Sequence, residues 1–279
     1  MQQANALGRR LFEIKSSPIL GILATTISLG FLTAAITVLS PEIAFSFVFI
    51  SIALFFAGLA ANTFLNKTEC FEQGIISHRW YQKTKILNFS NLSSYTYKAV
   101  KHSYNGIPTG TAVDMVLFPQ KDSGEKIKIS KHTANGDKDM EALRDHLAEI
   151  LSERMYCVLQ ETNVQRIKWT ASAELSKEGI HFLERKFFGN NGAPTMIPFD
   201  KGFEYLNGNG TFELRIPGEK NNRVILDVAG PNFFPGVILM ERLLQDKRDQ
   251  HVREVKKEQQ GFDKSFFGTL AAGAGKNNG

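Results

Sequence analysis

The sequence predicts an α+β protein in which an all-α helical hairpin precedes a soluble part made of two similar β-rich domains. Three observations lead to this fold class. The stretch from Pro18 to Leu65 is almost wholly apolar, and Glu42 is its only ionisable residue. From Lys67 onward, short runs of β-forming residues alternate with turn residues. This order recurs about 100 residues later, and each copy closes with a helical pattern.

The apolar stretch is long enough for two membrane-spanning helices. A helix needs roughly 20 apolar residues to cross the hydrocarbon core of a bilayer, and residues 18–39 and 43–64 each meet that length. Pro41 lies in the link between them, Ser40-Pro41-Glu42, where it prevents the first helix from continuing. A cleaved signal peptide is the alternative for the first span, but its apolar region would be too long and a second span follows. The sequence therefore predicts a transmembrane hairpin over residues 18–65.

Basic residues occur at the two outer ends of this hairpin and not in the link between its spans. They are Arg9, Arg10 and Lys15 before the first span, and Lys67, Arg79, Lys83 and Lys85 after the second. The link between the spans contains no Lys or Arg. By the positive-inside rule, we expect a protein integral to the inner (cytoplasmic) membrane with both termini in the cytoplasm.

Small residues recur at helical spacing on both predicted spans. They are Thr26, Gly30 and Ala34 on the first span, and Ala53, Ala57 and Ala61 on the second. In lipid, small residues let two helix backbones approach closely. Two interpretations remain open: the two stripes pack against each other within the hairpin, or one of them packs against another subunit.

Residues 1–17 form a short basic lead to the first span. Leu7, Leu11 and Ile14 recur at helical spacing, and basic residues stand between them. Basic amphipathic segments of this kind lie along the membrane interface. We therefore expect an interfacial segment over these residues.

Residues 67–160 are predicted to form the first β-rich domain. Its strand-like runs are Thr68–Arg79 (interrupted by Gln73-Gly74), Lys85–Phe89, Tyr95–Lys98, Ala112–Phe118 and Lys126–Ser130. A helix is expected after Asp137 or Asp139, either of which suits the N-cap, because apolar residues then recur at spacings of three, four and seven.

Residues 164–246 are predicted to form a second domain of the same kind. Its strand-like runs are Glu174–Ser176, Ile180–Arg185, Met196–Phe199, Thr211–Ile216 and Arg223–Val228. A second helix is expected from about Asn232. Residues 247–279 are predicted to be a charged, solvated helix followed by a flexible Gly-rich tail.

The two domains share a residue pattern as well as an order of elements. Each has a Gly-Ile turn, then a strand that reaches a Phe, and finally a helix: Gly74-Ile75, Phe89 and the helix after Asp139, then Gly179-Ile180, Phe199 and the helix after Asn232. The pattern resembles the pleckstrin-homology (PH) fold. Its combination with a short transmembrane hairpin resembles bacterial PH-like membrane proteins of uncharacterised function. The resemblance implies two tandem PH-like split β-barrels, each with a C-terminal helix.

No residue pattern in the chain is typical of an enzyme. The sequence has no nucleophile-elbow, P-loop, Rossmann or HExxH run, and its six histidines are scattered. The only cysteines, Cys70 and Cys157, are not spaced for a metal or redox site. We therefore expect no enzyme activity, no cofactor, no metal and no small-molecule substrate. The chain has 33 basic and 28 acidic residues, a balance that argues against nucleic acid as a partner.

One cluster suits contact with lipid. It consists of Arg79, Trp80, Tyr81, Lys83 and Lys85. In PH-like domains that bind phosphoinositides, basic residues of the first hairpin hold the head group, and the resemblance implies that role for these positions. Trp and Tyr also suit the membrane interface. The simpler interpretation is that these are ordinary strand-end side chains close to a membrane to which the chain is already anchored.

These patterns favour a binding protein over a catalyst. We expect a membrane-anchored scaffold that presents its tandem domains at the cytoplasmic face for assembly with a protein partner or with itself. An anionic-lipid-sensing module is the first alternative. An accessory subunit of an oligomeric membrane complex is the second. Membrane lipids are expected contacts in all three cases.

Overall fold

The computed structural model describes most of the chain. The described residues are 6–15, 18–37, 43–104, 107–121, 124–133, 137–161, 164–182, 196–201, 203–208, 211–215 and 223–274. They form an α+β protein with four helices and several antiparallel sheets. The chain divides into two compact units, Met1–Leu151 with Asp227–Phe234, and Ser152–Leu226 with Pro235–Gly279. The predicted Ser40-Pro41-Glu42 link, the ends of two predicted strands (183–185 and 216) and residues 275–279 lie outside the described residues.

Two apolar helices, α1 (Pro18–Thr37) and α2 (Ile43–Leu65), pack antiparallel in the first unit. The Ser28 hydroxyl donates to the Ala53 carbonyl at 2.8 Å, and the Phe31 ring stacks on Phe49 and Phe56 at 6.1 and 6.2 Å. Within α2, residues Ser46–Leu65 are long and apolar enough to cross a membrane, with a mean hydropathy of 2.1. Gly21–Thr37 in α1 is a shorter apolar stretch.

The helical pair lies inside the connection between two strands of one sheet. Strands β1 (Arg10–Lys15), β2 (Lys67–Phe71), β3 (Gly74–Arg79) and β4 (Gln82–Asn88) form a four-stranded antiparallel sheet in that order. Lys15 at the end of β1 pairs with Lys67 at the start of β2. The first β-rich domain therefore begins before the helices, and not at residue 67 as predicted.

The helical spacing that the sequence predicts near the N-terminus is wrong for residues 10–15, which form β1. Ile14 is buried and Phe12 is partly buried, whereas Leu11 and Lys15 are exposed, so the more buried apolar side chains lie two residues apart on one face of the strand. Pairing with β2 gives this backbone hydrogen-bond partners, which a short isolated helix in water would not secure.

A second sheet and a helix complete the first copy of the repeat. A 3₁₀ turn (Phe89–Asn91) leads into β5 (Leu92–Tyr104), β6 (Ile107–Pro119) and β7 (Ile127–Thr133), which pair in that order. Helix α3 (Lys138–Glu161) follows, and the Asp137 carboxylate caps it by accepting the Met140 N–H at 2.9 Å. The core between the sheets and this helix includes Ile75, Leu92, Tyr95, Met115, Leu117, Leu143 and Leu147, all buried.

The same order of elements recurs in the second copy. Strands β8 (Ile167–Lys168), β9 (Ala173–Leu175), β10 (Gly179–Phe182) and β11 (Met196–Pro198) form a four-stranded antiparallel sheet. A 3₁₀ turn (Phe199–Lys201) leads to β12 (Glu204–Gly208), β13 (Thr211–Arg215) and β14 (Arg223–Asp227). Helix α4 (Phe233–Ala274) closes the copy and continues past residue 262, where the Gly-rich composition predicts a flexible tail.

The two copies agree in strand register. Gly74 pairs with Asn88 in the first copy, and Gly179 pairs with Pro198 in the second. The residue after each pair opens the 3₁₀ turn and donates its N–H to the residue before the glycine: Phe89 to the Gln73 carbonyl at 2.8 Å, and Phe199 to the Glu178 carbonyl at 2.9 Å. The two copies therefore share this strand register and this backbone hydrogen bond.

The two cysteines are free and differ in exposure. Cys70 lies in β2, and burial raises the pKa of its thiol to about 12. It therefore remains protonated at neutral pH. Cys157 in α3 is partly exposed.

The paired glycines make a prediction about stability. A Cβ at Gly74 would lie 2.7 Å from the Leu87 carbonyl oxygen, and one at Gly179 would lie 2.3 Å from the Ile197 carbonyl oxygen. Because the clash is with backbone, we expect Gly74→Ala and Gly179→Ala each to lower the free energy of unfolding by about 1–3 kcal/mol. The measurement is thermal unfolding of the detergent-solubilised protein.

The matched control is Gly58→Ala in α2, where a Cβ would have no neighbour within 4 Å. We expect it to leave the unfolding midpoint unchanged or slightly higher. A loss of stability in only one of the two paired variants would contradict the equivalence of the copies.

Candidate functional site

The turn between β3 and β4 carries two exposed aromatic side chains. Arg79 pairs with Gln82 across the hairpin, so Trp80 and Tyr81 form the turn itself. Their side chains are 50% and 55% exposed, and their rings meet edge to face with centroids 5.7 Å apart. We name these two residues the aromatic tip. Large rings so exposed on a β-turn indicate a contact surface more than a packing role.

The aromatic tip is hydrogen-bonded to the residue that follows α2. The backbone N–H of Trp80 donates to the Asn66 side-chain oxygen at 3.1 Å, and Asn66 comes directly after Leu65, the last residue of the helix. The Asn66 amide in turn donates to Asn62 one turn back in the helix. The tip is therefore held at the end of the apolar helix, whose last two side chains, Phe64 and Leu65, are exposed.

The basic residues of the predicted cluster are mostly engaged. The Arg79 guanidinium donates to the Lys128 carbonyl at 2.7 Å, and the Lys85 ammonium lies 2.6 Å from the Glu125 carboxylate. The hydrogen bond from Lys85 lowers the pKa of Glu125 from its ordinary value. Lys83 is exposed on β4. The structure thus gathers the five predicted residues on one hairpin, with Lys85 in an ion pair and the aromatic rings outermost.

A charged network lies where β1 and β2 adjoin the helices. Glu13 lies within ion-pair distance of Arg10, Lys15 and Lys67, and Glu69 within that distance of Arg10 and Lys67. Burial raises the pKa of both carboxyl groups, but their hydrogen bonds and basic neighbours outweigh it and leave both pKa values lowered. The two acidic residues therefore stay ionised and balance the basic residues that flank the helical pair.

The structure does not bring the two predicted small-residue stripes together. Thr26, Gly30 and Ala57 are exposed, Ala34 and Ala61 are half-buried, and Ala53 alone of the six is buried. The buried small residues of the helical pair form a set that shares only Ala53 with the predicted stripes: Gly21, Ala24, Ala35, Ser46, Ala53 and Ala60. The Phe31 ring, stacked on Phe49 and Phe56, also lies in the contact between the helices.

Ser176 and His181 form a second polar site, in the second compact unit. Their side chains are 2.9 Å apart beside a cavity of about 630 Å³. Burial, with Arg166 nearby, lowers the pKa of His181. Ser176, however, is buried and its hydroxyl accepts the N–H groups of Glu178 and Gly179. These hydrogen bonds hold the β9–β10 turn, which gives Ser176 a structural role.

Metal binding finds no support among the residues that the structure describes. They contain no group of three or more His, Cys, Asp or Glu side chains placed to hold an ion. The exposed rings of the aromatic tip thus remain the feature of this part of the chain that most clearly presents a contact surface.

Sequence reasoning missed two parts of this site. Asn66 carries no motif, and only its position directly after an apolar helix marks it as a residue that could join the helix to a neighbouring strand. The other part is Glu125 and Lys128: the sequence predicts Glu125 in the hairpin loop before the strand Lys126–Ser130, and predicts no role in this site for either residue. No local sequence pattern predicts that Lys85 on β4 forms an ion pair with Glu125, because the two residues are far apart along the chain.

Comparison with known proteins identifies a family without a known role. Residues 1–182 match DUF6585, a family of unknown function. The match covers well over half of the chain and includes the helical pair, all of the first copy and the first strands of the second. No curated protein and no solved structure matched the chain. The chain belongs to the DUF6585 family.

Proposed function

We propose that this chain is a membrane-anchored, non-enzymatic scaffold that holds two PH-like domains at the cytoplasmic face of the membrane for protein–protein assembly. The observation that carries the proposal is the placement of the apolar helical pair between β1 and β2. An anchor on a flexible linker would only confine a domain to a surface. An anchor joined to neighbouring strands of one sheet also restrains the orientation of that sheet.

The surface of the helical pair supports its insertion into lipid. Its outward-facing side chains are large and apolar, and they include Ile22, Leu23, Ile36, Phe47, Leu54 and Phe55, all exposed. Soluble monomers rarely expose an apolar surface of this extent. We infer that both helices span the membrane. The basic residues Lys15 and Lys67 at their adjoining ends then assign that side to the cytoplasm.

The order of elements supports the PH-like assignment. A four-stranded antiparallel sheet, a three-stranded antiparallel sheet and a closing helix occur twice. PH-like domains consist of the same seven strands and C-terminal helix, with a surface used for binding and not for catalysis. A scaffold needs such a surface and no reacting groups.

The proposed insertion makes a prediction about labelling. In right-side-out membrane vesicles, a membrane-impermeant maleimide should label Ser40→Cys in a Cys157→Ser background and leave wild-type Cys157 unlabelled. In inside-out vesicles the pattern should reverse, because Cys157 is partly exposed on the cytoplasmic part of the chain. Labelling of both cysteines from one side, or extraction of the chain by alkaline carbonate, would refute the hairpin.

The proposed assembly makes a separate prediction. Strand β4 is the last strand of its sheet, and Ile86 is exposed on it. Edge strands are where another chain can add. A photo-crosslinking amino acid at Ile86 should give a discrete adduct in native membranes, whereas one at the buried neighbour Leu87 should give none. No adduct from either position would count against assembly through this edge.

Two alternatives have specific observations in their favour. Anionic-lipid sensing is supported by Arg79 and Lys83, two basic residues of the hairpin whose turn is hydrogen-bonded to Asn66 after α2. An accessory role in an oligomeric membrane complex is supported by Thr26 and Gly30, which α2 leaves uncovered. Size-exclusion chromatography of the detergent-solubilised protein tests the second alternative, because that alternative requires a species larger than one chain.

A further inference from the structure

We infer that the aromatic tip is a second membrane contact, in which Trp80 and Tyr81 insert into the lipid interface next to the end of α2. This inference rests on the proposed insertion of the helical pair. It goes beyond that insertion by naming a part of the β-rich domain that touches lipid and the chemistry of the contact.

The hydrogen bond to Asn66 sets the depth of the tip. The head-group layers add roughly 5–7 Å to each side of a hydrocarbon core of about 30 Å. Asn66 is the first residue after α2, so it lies in this layer once α2 spans the core. Because the Trp80 N–H is 3.1 Å from the Asn66 side chain, the Trp80 backbone lies at the same depth.

The chemistry of the two side chains suits that layer. Trp and Tyr each combine an apolar ring with one polar group, and they are enriched where hydrocarbon meets water. Both rings are about half exposed in the protein, so lipid can reach them without a change in the fold. Their edge-to-face contact presents them as one surface.

The local charges favour ring insertion over recognition of an anionic head group. Lys85 is neutralised by Glu125, and the Arg79 guanidinium is directed to a backbone carbonyl. Of the basic residues on this hairpin, Lys83 is left exposed. The contact should therefore form with zwitterionic lipid and need no phosphoinositide or other anionic lipid. It would hold the first sheet at a fixed tilt to the bilayer, through the helix ends and the tip together.

Tryptophan fluorescence tests this inference directly. The chain has two tryptophans, and Trp169 is buried in the other unit. The emission of Trp80 is the difference between the wild-type protein and Trp80→Phe, each reconstituted as the full chain. In phosphatidylcholine brominated near the carbonyl end of its acyl chains, we expect this difference emission to be lost. Bromine near the methyl end should quench it less.

A matched control moves the tryptophan to the opposite end of β3. Gln73 is exposed in the β2–β3 turn, and the length of β3 places it roughly 20 Å from the tip at about 3.3 Å per residue. In the Trp80→Phe background, the emission of Gln73→Trp should be equal in brominated and ordinary lipid.

The outcomes separate this inference from the proposed function. If the protein resists alkaline carbonate but Trp80 is not quenched, the tip inference is overturned and the membrane anchor stands. If Trp80 is quenched only after anionic lipid is added, head-group sensing replaces ring insertion and the inference is likewise overturned. If carbonate extracts the protein, the proposed anchor itself fails.

Discussion

The pairing of β1 with β2 is the interaction on which the rest of this structure depends. The two strands are separated in sequence by the entire helical pair, yet Lys15 and Lys67 are register partners. Antiparallel packing of α1 against α2 returns the chain to the strand it left, so β1 and β2 can pair across a long insertion. Because the cost of closing a connection rises only with the logarithm of its length, a compact insertion of this kind is inexpensive. The sheet and the helices are thereby joined at two points.

That double connection explains the charges around it. Basic residues at both helix ends suit the cytoplasmic side of a membrane, but placed on neighbouring strands they would repel each other. Glu13 and Glu69 lie between them and, with lowered pKa values, stay ionised. A similar ion pair lies on the hairpin that carries the aromatic tip, where the Glu125 carboxylate balances the charge of Lys85. The end of the sheet next to the helices is rich in basic residues in sequence, while most of these side chains have acidic partners in space.

Much of this architecture could be predicted from the sequence. The helices and the repeat rest on strong local signals, namely a long apolar stretch and matched Gly-Ile and Phe positions. The predicted first helix, 18–39, is observed as Pro18–Thr37, and the second, 43–64, as Ile43–Leu65. What could not be predicted depends on distant partners. Strand β1 is defined by β2, beyond the helices, and three residues at helical spacing there gave the opposite prediction.

The faces through which α1 and α2 contact each other could not be predicted, for a related reason. Both helices carry small residues on several faces, so the spacing of Thr26, Gly30 and Ala34 fits a contact without selecting it. The observed contact includes Phe31 and its aromatic partners on α2, which the spacing of small residues does not predict. The aromatic tip was identified from residue type alone, whereas its position beside the helix end required the hydrogen bond between Trp80 and Asn66.

A disulfide across the helical pair tests the central claim most directly. Phe12 is the register partner of Cys70, so Phe12→Cys in a Cys157→Ser background should form a disulfide with Cys70 on oxidation. After cleavage at a protease site placed in the link between α1 and α2, the two fragments should stay joined on a non-reducing denaturing gel. Leu11→Cys, at the irregularity in the register, should let them separate. Separation of the Phe12→Cys fragments under the same conditions would contradict the pairing of β1 with β2.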